Sequence, residues 1–183
     1  MKAFRTTFFV AAVLAGTTGI ALAADYDAQA DTGGDAFGLY LRADAGWSFL
    51  DWTENDNGPV FGGGIGYQLN GYLRTDVRAD WAGNYDVAPG AEMSITTVTG
   101  NMYFDWDNDT AFTPYVGAGL GWGWANGSGI PDDNGFTYNL MAGVAMDIND
   151  NMAIDVGYRM REVMIDGANP LEHQVMAGLR FSF

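Results

Sequence analysis

A chain of 183 residues without cysteine is long enough for one domain and has no disulfide to stabilise it. With 23 acidic and only eight basic side chains, its net charge of −15 disfavours nucleic acid as a partner, because phosphates require Lys and Arg opposite them. No stretch after residue 23 has about 20 consecutive apolar residues, which excludes a membrane-spanning helix. The 26 glycines and the 14% aromatic residues favour many strands joined by turns.

The first 23 residues predict a signal peptide. Lys2 and Arg5 precede a short apolar core, and Ala21-Leu22-Ala23 has the small residues of a cleavage site. We therefore expect a mature chain that begins at Ala24 and leaves the cytoplasm. All 23 acidic residues follow this site, but only six basic residues do, and all six are arginines. Residues 24–36 are small, acidic and aperiodic, which predicts a flexible periplasmic leader.

From Phe37 onward, eight segments of the chain have mostly apolar side chains at every second position, which is the period of a β-strand. The predicted strands are 37–49, 60–69, 72–81, 93–106, 115–124, 136–148, 154–161 and 171–183. Tight turns predicted near residues 70, 108 and 150 alternate with longer loops near 54, 87, 130 and 166. Long and short connections on opposite rims are typical of outer-membrane barrels. Residues 37–183 therefore predict an all-β, eight-stranded antiparallel up-and-down transmembrane β-barrel.

The strands predict one apolar face and one polar face. Strand 72–81 is the clearest case, since its odd positions are mostly apolar and its even positions from 74 to 80 are two arginines and two aspartates. All six mature arginines lie on the less apolar face of their strands, where Asp105, Asp147 and Glu172 lie too. The predicted charge network inside the barrel consists of Arg42, Asp44, Arg74, Asp76, Arg78, Asp80, Asp155, Arg159, Arg161 and Arg180. An arginine facing lipid at mid-bilayer costs roughly 2–4 kcal/mol, so this face must point inward.

Two other patterns refine the prediction. Trp47, Trp81 and Trp124 lie near the long loops, and a second group of aromatic residues lies near the short turns, as two membrane interfaces require. That second group consists of Tyr67, Tyr72, Phe104, Trp106 and Phe183. Met93 and Ile95 are out of phase with the apolar face of their strand, which predicts either a bulge near Thr96-Thr97 or a strand start outside the membrane.

A soluble barrel with the opposite polarity, apolar inside like a ligand carrier, is the alternative fold. It would leave the arginines singly in water and the Arg/Asp ladder of strand 72–81 on its exterior, which disfavours it.

Several motifs resemble the small eight-stranded outer-membrane barrels of Gram-negative bacteria, the OmpA/OmpX/opacity-type proteins and their alphaproteobacterial "porin family" relatives. They are T-P-Y-V-G-A-G-L-G-W-G at 113–123, I-N-D-N-M-A-I-D-V-G-Y-R at 148–159 and the ending G-L-R-F-S-F. The resemblance implies that the ending is the signal read by the outer-membrane assembly machinery, with Gly178, Phe181 and Phe183 in the required spacing. It also implies contact with outer-membrane lipid and lipopolysaccharide.

The sequence disfavours a catalytic site or a metal site on the barrel. Some barrels of this kind modify lipid A, but a deacylase-type site needs a Ser near the only histidine, His173, and position 175 is Val. Asp105, Asp107 and Asp109 are spaced like the start of a calcium loop, but the glycine and the distal glutamate of such a loop are missing. We expect no catalytic, cofactor or metal site.

The sequence leaves three functions open. The first is a non-enzymatic barrel that contributes to envelope integrity and displays short acidic loops. The second is a narrow small-solute channel, because the glycine faces of strands 60–69 and 115–124 leave room in an interior otherwise filled by side chains. The third, less favoured, is a lipid A modifying enzyme.

Overall fold

The computed structural model describes residues 38–52, 55–106, 108, 110–129, 132–165 and 169–183. The predicted signal peptide, 1–23, and leader, 24–36, lie outside the described residues. Within the described ranges, no helix has the length and apolar character needed to cross a membrane.

Eight antiparallel strands, paired in chain order, form a closed barrel in which the first strand also pairs with the last. Their bounds are β1 Leu39–Asp51, β2 Asp56–Asn70, β3 Leu73–Ala88, β4 Ala91–Asp105, β5 Phe112–Ser128, β6 Asp133–Asn149, β7 Met152–Met164 and β8 Leu171–Ser182. The predicted fold is therefore confirmed. We call the end with the β1–β2, β3–β4, β5–β6 and β7–β8 connections the loop rim, and the opposite end the turn rim.

The register of the strands tilts them against the barrel axis. A path that crosses from each residue to its partner on the next strand starts at Leu41 and returns to β1 at Asp51, ten residues further on. Its intermediate residues are Ile65, Val77, Gly100, Leu120, Tyr138, Glu162 and Leu171. An eight-stranded barrel with such a stagger encloses a space that is just wide enough for side chains.

The strands extend further at the loop rim than the sequence predicted. β3 runs to Ala88 and β4 begins at Ala91, so the predicted loop at 83–92 is a hairpin that turns at Pro89-Gly90. Gly90 has a φ of 78°, which glycine adopts without steric strain. The periodic pattern of β3 is hidden at this point because the strand contains an irregularity beyond Gly83.

The irregularity lies in a different strand from the predicted bulge. β4 pairs with β5 without a register shift from Glu92 to Asp105, so the bulge predicted near Thr96-Thr97 is wrong. The shift lies in the facing strand, between Gly83 and Tyr85 of β3. Met93 and Ile95 are instead buried inside the barrel, on the same face as Thr97. They depart from the polar pattern because they belong to an apolar cluster at the loop rim.

The two faces of the barrel wall have opposite polarity. Val77 is 56% exposed on the outside, whereas its neighbour Arg78 is 2% exposed on the inside. The outer face is apolar, and its aromatic residues lie toward both rims. Those exposed there include Trp47, Trp124, Tyr67, Tyr72, Phe104, Trp106 and Phe183, and Trp81 is half-buried. An outer surface of this kind is stable only in contact with acyl chains.

Candidate functional site

The interior of the barrel contains all six arginines that follow residue 23. Five are at most 6% exposed, and Arg180 is half-buried at the turn rim. Six carboxylates lie among them, so the interior is balanced in formal charge. These acidic residues are Asp44, Asp76, Asp80, Asp105, Asp155 and Glu172. The structure thus brings together all ten residues of the proposed network and adds Asp105 and Glu172, whereas Asp147 is exposed at the turn rim.

Nearest the turn rim, Arg74 is held by a carboxylate and two aromatic rings. Its Nε donates to both oxygens of Asp105 at 2.9 Å, and its Nη2 lies 3.8 Å from Asp155. The guanidinium carbon lies 4.3 Å from the ring centre of Tyr103 and 4.8 Å from that of Tyr115. Contact with two rings stabilises a buried guanidinium by cation–π attraction. Arg180 approaches Asp155 from the other side at 3.6 Å.

In the middle of the barrel, arginines share carboxylates across strands. Arg42 binds Asp44 with two nitrogens, at 2.7 and 3.0 Å, and reaches Asp76 at 3.3 Å. Arg78 lies between Asp44 at 3.1 Å and Asp80 at 2.9 Å. Each of Asp44 and Asp80 therefore faces more than one guanidinium, and the pairs form one continuous network.

The network continues from β3 to β7 and β8. Arg159 donates to Asp80 at 2.8 Å and to the side-chain oxygen of Gln174 at 2.6 Å. One position closer to the loop rim, Arg161 donates to Glu172 and to the Thr97 hydroxyl, both at 2.7 Å.

The Glu172 carboxylate accepts hydrogen bonds from three further groups. The Tyr85 hydroxyl donates to it at 2.8 Å, and the Ser48 hydroxyl and the Gln174 amide donate at 3.2 Å. The sequence missed Tyr85, because it lies in the stretch predicted to be a loop. The strand period continues through it only after the register shift at Asn84.

An apolar cluster fills the interior at the loop rim and extends along β8 to Met176, which lies past Glu172 toward the turn rim. Its buried members are Leu50, Val60, Ala82, Tyr85, Val87, Ala91, Met93, Ile95, Ala125, Val163 and Met176, and Trp52 and Ile165 pack against them. Close-packed side chains of this kind leave little room for water or ions among them.

The inward-facing glycines do not leave the room that the sequence predicted. A Cβ atom added to Gly62 on β2 would lie 2.0 Å from an oxygen of Asp80, and one added to Gly119 on β5 would lie 1.9 Å from the Asn101 amide oxygen. At these two glycines, the side chain of the paired residue on a neighbouring strand fills the space. Asp80 of the charge network occupies the space beside Gly62, and Asn101, which donates a hydrogen bond to Asp76 of the network, occupies the space beside Gly119.

A vestibule and a small cavity lie in the described part of the interior. A polar vestibule of about 440 Å³ opens at the turn rim, beside Asp105, Asp147 and Arg180. Deeper inside, a cavity of about 20 Å³ lies between Arg78, Asp155 and neighbouring side chains. The second is large enough for one water molecule and too small for a solute.

The single histidine lies on the outer wall. His173 is half-buried on β8, stacks on Tyr158 and forms a hydrogen bond with its hydroxyl. Ser182 lies at the other end of the same strand. Among the described residues there is no group of three or more His, Cys, Asp or Glu side chains arranged to hold a metal ion. Asp107 and Asp109 of the possible calcium loop lie outside the described ranges.

A closed eight-stranded barrel with a lipid-compatible exterior and a charge-paired interior defines a membrane β-barrel protein. The family model for the outer membrane protein beta-barrel domain matches residues 9–181, and the chain belongs to this family. It is therefore a protein of the Gram-negative outer membrane, where its wall contacts lipid and lipopolysaccharide.

Individual proteins and solved structures are similar to this chain. An uncharacterised protein of Brucella abortus is 25% identical over 72% of this chain and 69% of its own length. The outer membrane protein PagN of Salmonella typhimurium is 29% identical over 55% of this chain and 56% of its own length. The crystal structure of Neisserial surface protein A is 25% identical, with a TM-score of 0.73, over 82% of this chain and all of that one. Ail of Yersinia pestis shares the fold, with 18% identity and a TM-score of 0.56. The match covers 79% of this chain and 99% of the Ail chain.

The charge network predicts a large loss of stability when one acidic residue is neutralised. Asp80→Asn leaves Arg78 and Arg159 without their shared charge, which should lower the free energy of unfolding by about 3–5 kcal/mol. Urea unfolding from lipid vesicles measures this change. The matched variant Asp51→Asn, at an exposed position on the outer face, should change stability by less than about 0.5 kcal/mol. Equal losses in the two variants would contradict the network.

Proposed function

We propose that this protein is a non-enzymatic structural component of the outer membrane that contributes to envelope integrity and displays short acidic surface loops. The observation that carries the proposal is the filled interior. Side chains of the charge network and of the apolar cluster at the loop rim pack the described interior beyond the vestibule, and the cavity among them measures about 20 Å³. A barrel filled in this way resists the passage of solutes while its outer wall anchors it in lipid.

The loop rim supports the second half of the proposal, which is the display of short acidic loops. Asp51, Asp86 and Glu92 are exposed there, and Asp132 is exposed beside the β5–β6 connection. All six mature arginines lie inside the barrel, so the rim is acidic. In outer-membrane barrels the longer connections face the outside of the cell.

A narrow channel remains the second candidate, and the vestibule at the turn rim is the observation in its favour. It is polar and open, but it leads toward Arg74 and Asp105, which are paired and buried. Passage from the vestibule would require the network to separate.

Loss of the protein should weaken the outer membrane as a barrier. We expect deletion of the gene to increase uptake of a hydrophobic dye, and both the wild-type protein and His173→Ala to restore the barrier, since the proposed role needs no imidazole. Failure of a folded His173→Ala variant to restore it, together with a change in the mass of lipid A, would favour the enzyme.

Conductance measurements in planar lipid bilayers distinguish a channel from a structural protein. The purified protein, with insertion verified by a heat-modifiable band, should give no stepwise conductance, whereas a known porin inserted under the same conditions gives clear steps. Steps from this protein alone would contradict the proposal in favour of a channel.

We further propose that Gly178, Phe181 and Phe183 form a signal for the assembly machinery. Phe183 is 67% exposed, and its ring contacts that of Phe181 with centres 5.1 Å apart. A side chain so exposed contributes little to packing in the folded barrel, which leaves it available for recognition.

Phe183→Ser should therefore reduce the amount of heat-modifiable protein in the outer membrane several-fold while leaving refolding into detergent micelles unchanged. The matched control is Tyr72→Ser, another exposed aromatic residue at the turn rim that is not part of the signal. Equal losses of assembly in both variants would show that the rim needs aromatic residues in general and would refute the signal.

A further inference from the structure

One buried carboxylate of the charge network lies near two arginines without forming a hydrogen bond to either. Asp155 of β7 is 3% exposed. The nearest guanidinium nitrogens of Arg74 and Arg180 lie 3.8 and 3.6 Å from its oxygens, which is beyond hydrogen-bond distance. Among the described residues, neither oxygen of Asp155 has a hydrogen-bond partner. Buried polar groups of native proteins nearly always have one, so this carboxylate requires a further donor.

Two guanidinium groups in the middle of the barrel have donors left over. Arg78 uses its Nη2 for Asp44 and Asp80, and its Nε has no partner within the described part of the chain. Arg159 donates from Nε to Gln174 and from Nη1 to Asp80, while its Nη2 has no partner among the same residues. Both arginines are 2% exposed. They therefore retain donors where Asp155 retains acceptors.

The small cavity inside the barrel brings these three side chains together. It measures about 20 Å³, and Asp155, Arg78 and Arg159 all line it. A buried water molecule needs roughly 10–15 Å³ of such space and two to four polar partners. The cavity meets both conditions.

The charges around the cavity determine which ligand fits. A chloride ion could accept from Arg78 and Arg159 but would face the Asp155 carboxylate. A metal cation could bind that carboxylate but would face three guanidinium groups, because Arg42 lines the cavity too. A water molecule has two donors for the carboxylate and two acceptor sites for the guanidinium groups. Water is therefore the ligand that satisfies both kinds of unused group.

The vestibule at the turn rim provides a route for this water. Arg180 is half-buried and lines the vestibule, and it lies 3.6 Å from Asp155, which lines the cavity. Movement of the Arg180 side chain would therefore connect the two spaces. On the side of the apolar cluster, Met176 lines the cavity, so the polar approach is from the turn rim.

We propose that the cavity is a binding site for one water molecule that forms a fixed part of the charge network. The water donates to Asp155, accepts from Arg78 Nε and Arg159 Nη2, and enters from the vestibule past Arg180. It links the arginines nearest the turn rim to those in the middle of the barrel.

A crystal structure of the purified protein, with diffraction data collected at long wavelength, tests the site directly. We expect one peak of water size within hydrogen-bond distance of Asp155 and of Arg78 Nε or Arg159 Nη2, without an anomalous signal. Chloride in the crystallisation buffer would give such a signal if an anion occupied the cavity. An anomalous peak, or an empty cavity in a map that shows other buried waters, would overturn the proposal.

Radiolytic oxidation provides a second test in solution, because hydroxyl radicals formed from a bound water react with the side chains beside it. Tyr103 lines the cavity, whereas Tyr85 belongs to the apolar cluster, and the two are equally buried, at 1% and 0% exposure. We expect Tyr103 to be oxidised several-fold faster than Tyr85 under the same X-ray pulses. Equal rates for the two tyrosines would contradict a bound water.

The role of the carboxylate is tested by a matched pair of variants. Asp155→Leu removes the acceptors of the water and should lower the oxidation rate of Tyr103 to that of Tyr85. The control Asp105→Leu removes another buried carboxylate beside Arg74, outside the cavity, and should leave the rate at Tyr103 high. A heat-modifiable band verifies the folding of each variant. Undiminished oxidation of Tyr103 in a folded Asp155→Leu protein would refute the assignment of Asp155 as the acceptor, and the crystal structure of the wild type tests the site even if this variant does not fold.

Discussion

The structure depends on the burial of six guanidinium groups in a cylinder that has lipid on its outside. A membrane offers no water to an arginine, and a single one facing acyl chains at mid-bilayer costs roughly 2–4 kcal/mol. The chain meets this constraint by closing eight strands into a barrel and placing six carboxylates among the arginines. Neither feature is stable alone, because an open sheet would expose its edges and an unpaired interior charge would have no partner.

The pairing also determines how the interior is filled. The Arg78 guanidinium bridges Asp44 and Asp80, and Arg159 also binds Asp80, so these pairs link β1, β3 and β7. The Arg74 guanidinium contacts the rings of Tyr103 and Tyr115. Gly62 has no side chain, so Asp80 can pack directly against the barrel wall there. The same packing that stabilises the barrel removes the space a solute would need, so the structural basis of the fold is also the basis of the proposed barrier role.

Much of this arrangement could be predicted from alternation within single strands. In β3 the odd and even positions differ so strongly that Val77 and Arg78 had to face different environments, and the barrel followed from eight such segments. Contacts between side chains of neighbouring strands could not be predicted. The pairing of Glu162 with Tyr138, and of Gly119 with Asn101, is set by the register between strands, which a single-strand pattern does not contain. The hairpin at Pro89-Gly90 was missed because a register shift interrupts the period of β3.

Residue-resolved labelling by a lipid-soluble photoreactive carbene tests the central claim most directly, because it reports on the unmodified protein in vesicles. Met102 is 55% exposed on the outer wall and Met141 is 7% exposed inside, and the tyrosines Tyr158 and Tyr103 form a second matched pair, at 44% and 1%. The account predicts strong labelling of Met102 and Tyr158 and background labelling of Met141 and Tyr103. Equal labelling within each pair would contradict an interior sheltered from lipid.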